Sequence, residues 1–228
     1  MSMPFYVAPE QVMKDRADYA RKNIAKGRPL VGVTYSGGIL LCAENTSNTL
    51  HKVSEIYDRI AFAGVGRYNE FDSLRVAGVR AADLKGFQYS REDVDARGLA
   101  SQYGQILNNI FTHELKPMEV EILVAEVGTE DTPDALYHVL YDGSVVDEQG
   151  YAVLGGEAEA IVERLKAAYD PAADLAGALA ECVSALAGPD RTITADELEV
   201  AILERNAERR AFRRILGAEL EALVRSPS

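Results

Sequence analysis

The stretch from residue 29 to residue 44 limits the fold more than any other. Pro29-Leu30-Val31-Gly32-Val33-Thr34-Tyr35 and Ile39-Leu40-Leu41-Cys42-Ala43-Glu44 are apolar, strand-like runs, and Ser36-Gly37-Gly38 between them is a turn sequence. Two such runs joined so tightly pair as an antiparallel hairpin. Strand patterning returns at 51–56 and, through Tyr57-Asp58-Arg59, at 60–66. It returns again at 120–127, at 136–141 and 145–146 across Asp142-Gly143-Ser144, at 151–154 and at 198–203. Helical spacing fills the gaps between these groups. Pro9-Glu10 opens a predicted helix over 9–25, which Gly27 stops. Further helices are predicted over 69–84 with Asn69 as its cap, 94–112, 157–169 and 174–187, and a basic helix over 209–224. Residues 86–93 and 188–192 read as connections, 1–8 as a flexible segment and 225–228 as a disordered tail. Hairpin-joined strands with helices in pairs predict an α+β domain in which helices cover stacked antiparallel sheets.

Charge and cysteine usage then exclude several function classes. The chain of 228 residues carries 24 Lys and Arg against 36 Asp and Glu, a formal net charge of −12. Such a chain repels phosphate backbones, which argues against nucleic-acid binding as its main task. The two cysteines, Cys42 and Cys182, lie in apolar runs and read as small buried hydrophobes in a reducing compartment. No apolar run approaches the roughly 20 residues that span a bilayer, and the N-terminal segment has no signal-peptide pattern, so a cytoplasmic protein with no membrane partner is expected. His51, His113 and His138 are far apart and lack metal-ligand spacing. Gly64-Val65-Gly66 and Gly155-Gly156 do not have the spacing of a phosphate loop. No metal, no cofactor and no catalytic constellation are expected.

From the first hairpin onward the residues resemble 20S proteasome subunits. The likeness is carried by residues 31–44, by Lys52-Val53-Ser54-Glu55-Ile56-Tyr57-Asp58-Arg59-Ile60 and Gly66, and by Pro117-Met118-Glu119-Val120-Glu121. It continues through Tyr141-Asp142-Gly143-Ser144, the Gly155-Gly156 turn and Leu198-Glu199-Val200-Ala201-Ile202-Leu203. Within those subunits the chain is most similar to the actinobacterial α branch, through His51-Lys52-Val53-Ser54-Glu55, Tyr68-Asn69-Glu70-Phe71 and Arg209-Arg210-Ala211-Phe212-Arg213-Arg214-Ile215.

The resemblance implies the four-layer αββα sandwich of N-terminal-nucleophile hydrolases with an extra N-terminal helix. Catalytic β subunits of this family start with a threonine directly ahead of the first strand, whose hydroxyl attacks the peptide carbonyl. Here Arg28 falls at that position, Glu44 at that of the catalytic aspartate and Lys52 at that of the catalytic lysine. Without a nucleophile the reaction cannot run, so a non-catalytic α subunit is implied, with no catalytic residue of its own. Three tasks follow from the likeness. The chain would form seven-membered outer rings capping a catalytic β subunit. Ser2, Met3, Pro4, Phe5, Tyr6, Val7 and Ala8 would gate the axial pore. Lys52 and Gly66 would receive the C-terminal residues of a ring-shaped ATPase that delivers pupylated substrates. A simpler role for Lys52 is an ion pair with Glu55. The different-class alternative is a stand-alone scaffold oligomer of the same fold without a β partner.

Overall fold

A computed structural model describes residues 8–225 of the chain. After the helix α1 (Pro9–Ile24) come four strands, β1 (Leu30–Tyr35), β2 (Gly38–Glu44), β3 (Val53–Tyr57) and β4 (Ile60–Gly66). The helices α2 (Tyr68–Gln88) and α3 (Ala96–His113) precede β5 (Val120–Glu126), β6 (Ala135–Val139), β7 (Val145–Glu148) and β8 (Tyr151–Leu154). The chain then runs through α4 (Ala158–Ala168), α5 (Leu175–Ala187), β9 (Leu198–Glu204), β10 (Phe212–Ile215) and α6 (Gly217–Arg225). The strands form two five-stranded sheets, ordered β10-β9-β2-β1-β8 and β3-β4-β5-β6-β7. Every adjacent pair is antiparallel.

Three apolar layers separate four structural ones, because the central strands are buried on both faces. In β2, Ile39, Leu41 and Ala43 point between the sheets, where they meet Ala61, Ala63 and Val65 of β4 and Leu123 and Ala125 of β5. Leu40 and Cys42 point the other way, under α4, α5 and α6. On the second sheet Phe62, Ile122 and Val124 face α2 and α3. The period-2 alternation of the strands places each side chain in one layer or the other. Fully burying a side chain such as Leu41 or Leu123 contributes roughly 1.5–3 kcal/mol relative to leaving it exposed. The expected αββα sandwich is therefore what the chain forms. The helix α1 closes one open end of the inter-sheet layer, inserting Ala20 and Ile24.

The basic helix expected over 209–224 is a strand followed by a short helix. Phe212–Ile215 pairs with β9, from Phe212 opposite Leu203 to Ile215 opposite Val200, and helix begins only at Gly217, which has φ +54°. The arginines at 209, 210, 213 and 214 imitate the polar stripe of a helix. The free edge of β9 decides otherwise, with Phe212 and Ile215 filling opposite faces of the extended strand. Asn69 is not a cap: α2 starts one residue earlier, with the extended Arg67 at the N-cap position and no side-chain cap. That helix also runs on to Gln88 rather than ending near 84, and a single 3₁₀ turn (Arg91–Asp93) occupies the rest of the expected loop. The next helix starts at Ala96, where the Asp95 carboxylate accepts a 2.6 Å hydrogen bond from Gly98 N–H. The third strand begins at Val53, leaving His51 and Lys52 in the approach to it.

Both thiols lie in the layer beneath α5. Burial pushes Cys42 up to about 12, and Cys182 well above its ordinary value. Neither forms a thiolate at neutral pH, which fits packing rather than nucleophilic chemistry. Among the described residues no helix is long and apolar enough to cross a membrane.

Candidate functional site

The connector between α1 and β1 organises the region to which the resemblance points. Gly27, past the end of α1, comes close to Gly66: a Cβ placed on Gly27 would lie 3.5 Å from the Gly66 nitrogen. One residue on, Lys52 Nζ donates to the Arg28 carbonyl oxygen at 2.6 Å. Lys52 and Gly66 stand near the same end of the β3–β4 hairpin, since Gly64 N–H donates to the Lys52 carbonyl and Val53 is opposite Ala63. The structure thus brings Lys52, Gly66, Gly27 and Arg28 together. Ala8 is exposed and holds the N-cap position of α1, while residues 2–7 lie outside the described residues.

Lys52 is half-buried, and burial pushes its ammonium down to about 8. Glu199 and Glu44 work against that shift, while Arg28 adds to it. Its sequence neighbour Glu55 is not the partner. That carboxylate is taken by Arg210, with Nη2 2.6 Å from Oε2. Glu44 is buried and paired with Arg191 at 2.6 Å. Glu44 is therefore committed to an ion pair, and Arg28 offers neither hydroxyl nor thiol.

Gly66 has φ +102°, and a side chain there would run into the Glu119 carbonyl oxygen. Glycine is required by the backbone itself at this point. The Glu119 side chain collects Lys116, Arg67 Nη1 at 3.6 Å and the Tyr19 hydroxyl at 3.2 Å, the last from α1. Burial alone would raise this carboxyl, but Lys116, Tyr19 and Arg67 together hold it below the usual range. Glu70 completes the group, accepting from Glu119 N–H at 2.7 Å and from Lys116 at 3.1 Å. The N-terminal helix is thereby fastened by Tyr19 to Glu119, and the connector that follows it by the Arg28 carbonyl to Lys52.

Nothing in the sequence pattern gives Glu119 or Glu199 a role, and Arg214 reads there only as one of a basic cluster that solvates the last helix or pairs with neighbouring acidic surface. A carboxylate inside an otherwise apolar strand, as at Glu199 in Leu198-Glu199-Val200-Ala201-Ile202, is the signal that could have found one of them. The three histidines are dispersed. His51 Nδ1 is 3.3 Å from Glu199, His113 turns back on the Asn109 carbonyl of its own helix, and His138 is held between Glu121 and Glu148.

A four-layer sandwich of two antiparallel five-stranded sheets, with a helix laid across one end of the layer between them, defines a class of protein that the comparisons make specific. The chain belongs to the proteasome subunit family, whose model matches residues 24–203. Its relatives lie in the α branch. It is 60% identical over 228 residues to the proteasome subunit alpha of Acidimicrobium ferrooxidans, covering all of this chain and 98% of that protein. The proteasome subunit alpha of Sanguibacter keddieii is 56% identical over 233 residues, covering all of this chain and 91% of that one. That of Acidothermus cellulolyticus is 55% identical over 234 residues, with both chains fully covered.

Proposed function

We propose that this chain is the non-catalytic α subunit of a bacterial 20S proteasome core in the cytoplasm. It forms the seven-membered outer rings over a catalytic β subunit, gates substrate passage with residues 2–8, and docks a ring-shaped ATPase in the degradation of pupylated proteins. The observation that carries the docking task is Lys52 itself. It is a half-buried ammonium with one donor on the Arg28 carbonyl and two N–H donors left for an incoming carboxylate. A carboxylate meeting it in a partly desolvated site gains a charge-assisted bond. The adjoining Gly66 backbone carries no side chain to obstruct the incoming peptide. Assembly is supported by large apolar side chains left in solvent, Phe87 at 89% exposure and Leu115 at 101%, with Tyr89 and Leu84 beside the first.

Lys52→Ala in the assembled core particle should weaken the activator's C-terminal tail by about 1.5–3 kcal/mol per site. That is roughly ten- to hundredfold in affinity, read as lost stimulation of peptide hydrolysis at fixed activator concentration. A full response in that variant would remove the docking task. Removing residues 2–8 should raise the particle's unstimulated turnover of small peptides, and unchanged turnover would remove the gate. Native mass of the particle separates this function from a stand-alone scaffold, which would contain no second, threonine-starting subunit.

A further inference from the structure

Four nitrogen donors converge on the Glu199 carboxylate of β9. Lys52 N–H donates at 2.8 Å, Val53 N–H at 3.2 Å, Asn45 Nδ2 at 2.8 Å and Arg214 Nη1 at 2.7 Å. The side chain is 8% exposed. Arg214, on β10, turns its other arm to the Val53 carbonyl. The strand β3 is the edge of its sheet, and an edge leaves backbone donors and acceptors without a strand to pair with. Here side chains from β9 and β10 of the opposite sheet supply the partners, holding the N–H and C=O of Val53 and the N–H of Lys52.

We infer that Glu199, braced by Arg214, is the positioning residue for Lys52: it fixes the backbone from which the ammonium projects and sets a buried carboxylate at the foot of that side chain. The charged groups around Lys52 come from several elements. Glu199 of β9 and Glu44 of β2 favour the ammonium, and Arg28 of the connector opposes it. His51 beside it and Arg214 opposite both draw on Glu199. Burial already brings the ammonium down to about 8, so it has little margin at neutral pH, and Glu199 is the larger of the two acidic contributions that preserve it. This assigns part of the basic 209–214 cluster a task in the chain itself. The consequence for activator docking rests on the function proposed above, whereas the positioning does not.

The test uses core particles purified with their own β partner. Lys52 is pulse-labelled with an amine reagent across a pH series and quantified by mass spectrometry. In parallel, peptide hydrolysis is stimulated with a synthetic peptide copying the C-terminus of the activating ATPase, with its C-terminal amide as control. Stimulation is taken as the ratio to each particle's own unstimulated rate. Glu199→Gln should move the Lys52 labelling midpoint down from about 8, by roughly one pH unit. The pH at which stimulation is lost should move with it. Faster labelling at every pH with an unmoved midpoint would mean simple loosening and would overturn the inference. Should that variant fail to assemble, Glu199→Asp keeps the charge but shortens the reach. Its labelling midpoint should stay near the natural one while amide hydrogen exchange at Lys52 and Val53 accelerates, and unchanged exchange there overturns the inference. If the midpoint shifts but the peptide never stimulates the natural particle, positioning stands and docking fails. If the peptide stimulates natural and Glu199→Gln particles with the same pH midpoint, docking stands and the positioning fails.

Discussion

Gly66→Ala should lower the stability of the chain by at least ~3 kcal/mol, far more than a docking residue at the surface would. Two costs combine. The backbone has φ +102°, a conformation that L side chains rarely adopt, and the added Cβ would overlap the Glu119 carbonyl oxygen. That oxygen cannot retreat easily, because it accepts from Arg67 N–H at 3.0 Å, one residue past the end of β4. The Glu119 side chain is meanwhile held by Lys116, Arg67 and Tyr19. For a domain of this size the loss corresponds to a fall of about 6–12 °C in the unfolding midpoint. Gly217→Ala is the control. Gly217 also has positive φ, at +54°, but nothing lies within 4 Å of its added Cβ, so only the conformational cost of about 1 kcal/mol remains. Equal midpoints for the two variants would show that the Glu119 contact carries no weight. A lost activator response in Gly66→Ala would therefore report a damaged fold before it reported a damaged docking surface. Lys52→Ala, which removes a side chain and leaves the strand backbone intact, is the cleaner probe of docking.

The parts of the fold that sequence exposed are those where local pattern and tertiary demand coincide. The first hairpin is legible because residues 30–35 and 38–44 are apolar on both faces and separated by a two-residue turn, which leaves the pairing little choice. The helices α4 and α5 are legible for the same reason, their apolar stripes being what the first sheet must have above it. The residues 209–216 were misread because their charge pattern is local whereas their conformation is not. What makes them extended is the edge of β9 and the carboxylates on that strand, with Arg213 on Glu204 and Arg214 on Glu199. Of the candidate site, Lys52 and Gly66 could be named from their likeness to a family, but their physical setting could not. Glu199 is 147 residues from Lys52 in the chain, and Glu119 is 100 residues from Tyr19. No spacing rule connects residues so far apart; the packing of two sheets does.

Raising the pH from about 6.5 to about 9 should remove a stabilising contribution on the order of 3 kcal/mol that His138 makes. This histidine is buried on β6, with Nε2 3.3 Å from Glu121 of β5 and Nδ1 3.5 Å from Glu148 of β7. Burial would lower its proton affinity, but the two carboxylates outweigh burial and raise it to about 9. A histidine whose folded value lies above its unfolded one stabilises fully below the unfolded value, near 6.5, and loses that contribution as the pH climbs through about 9. Above that pH the imidazole is neutral, and Glu121 and Glu148 face each other across it without a cation between them. Lys52 works in the opposite direction over a higher window. Its folded value is depressed to about 8, so deprotonation from there toward the unfolded value near 10.4 relieves a burial cost and adds stability. The two contributions are separable because only one vanishes in His138→Gln, which keeps a hydrogen-bonding side chain but binds no proton in this range. Urea unfolding at a series of pH values should show the natural chain losing about 3 kcal/mol more than this variant between pH 6.5 and 9. Parallel curves would mean that His138 is neutral between its carboxylates. The bond network of β5, β6 and β7 would then have to hold two half-buried acids by hydrogen bonding alone, an arrangement that the 3.3 and 3.5 Å separations on either side of one imidazole do not favour.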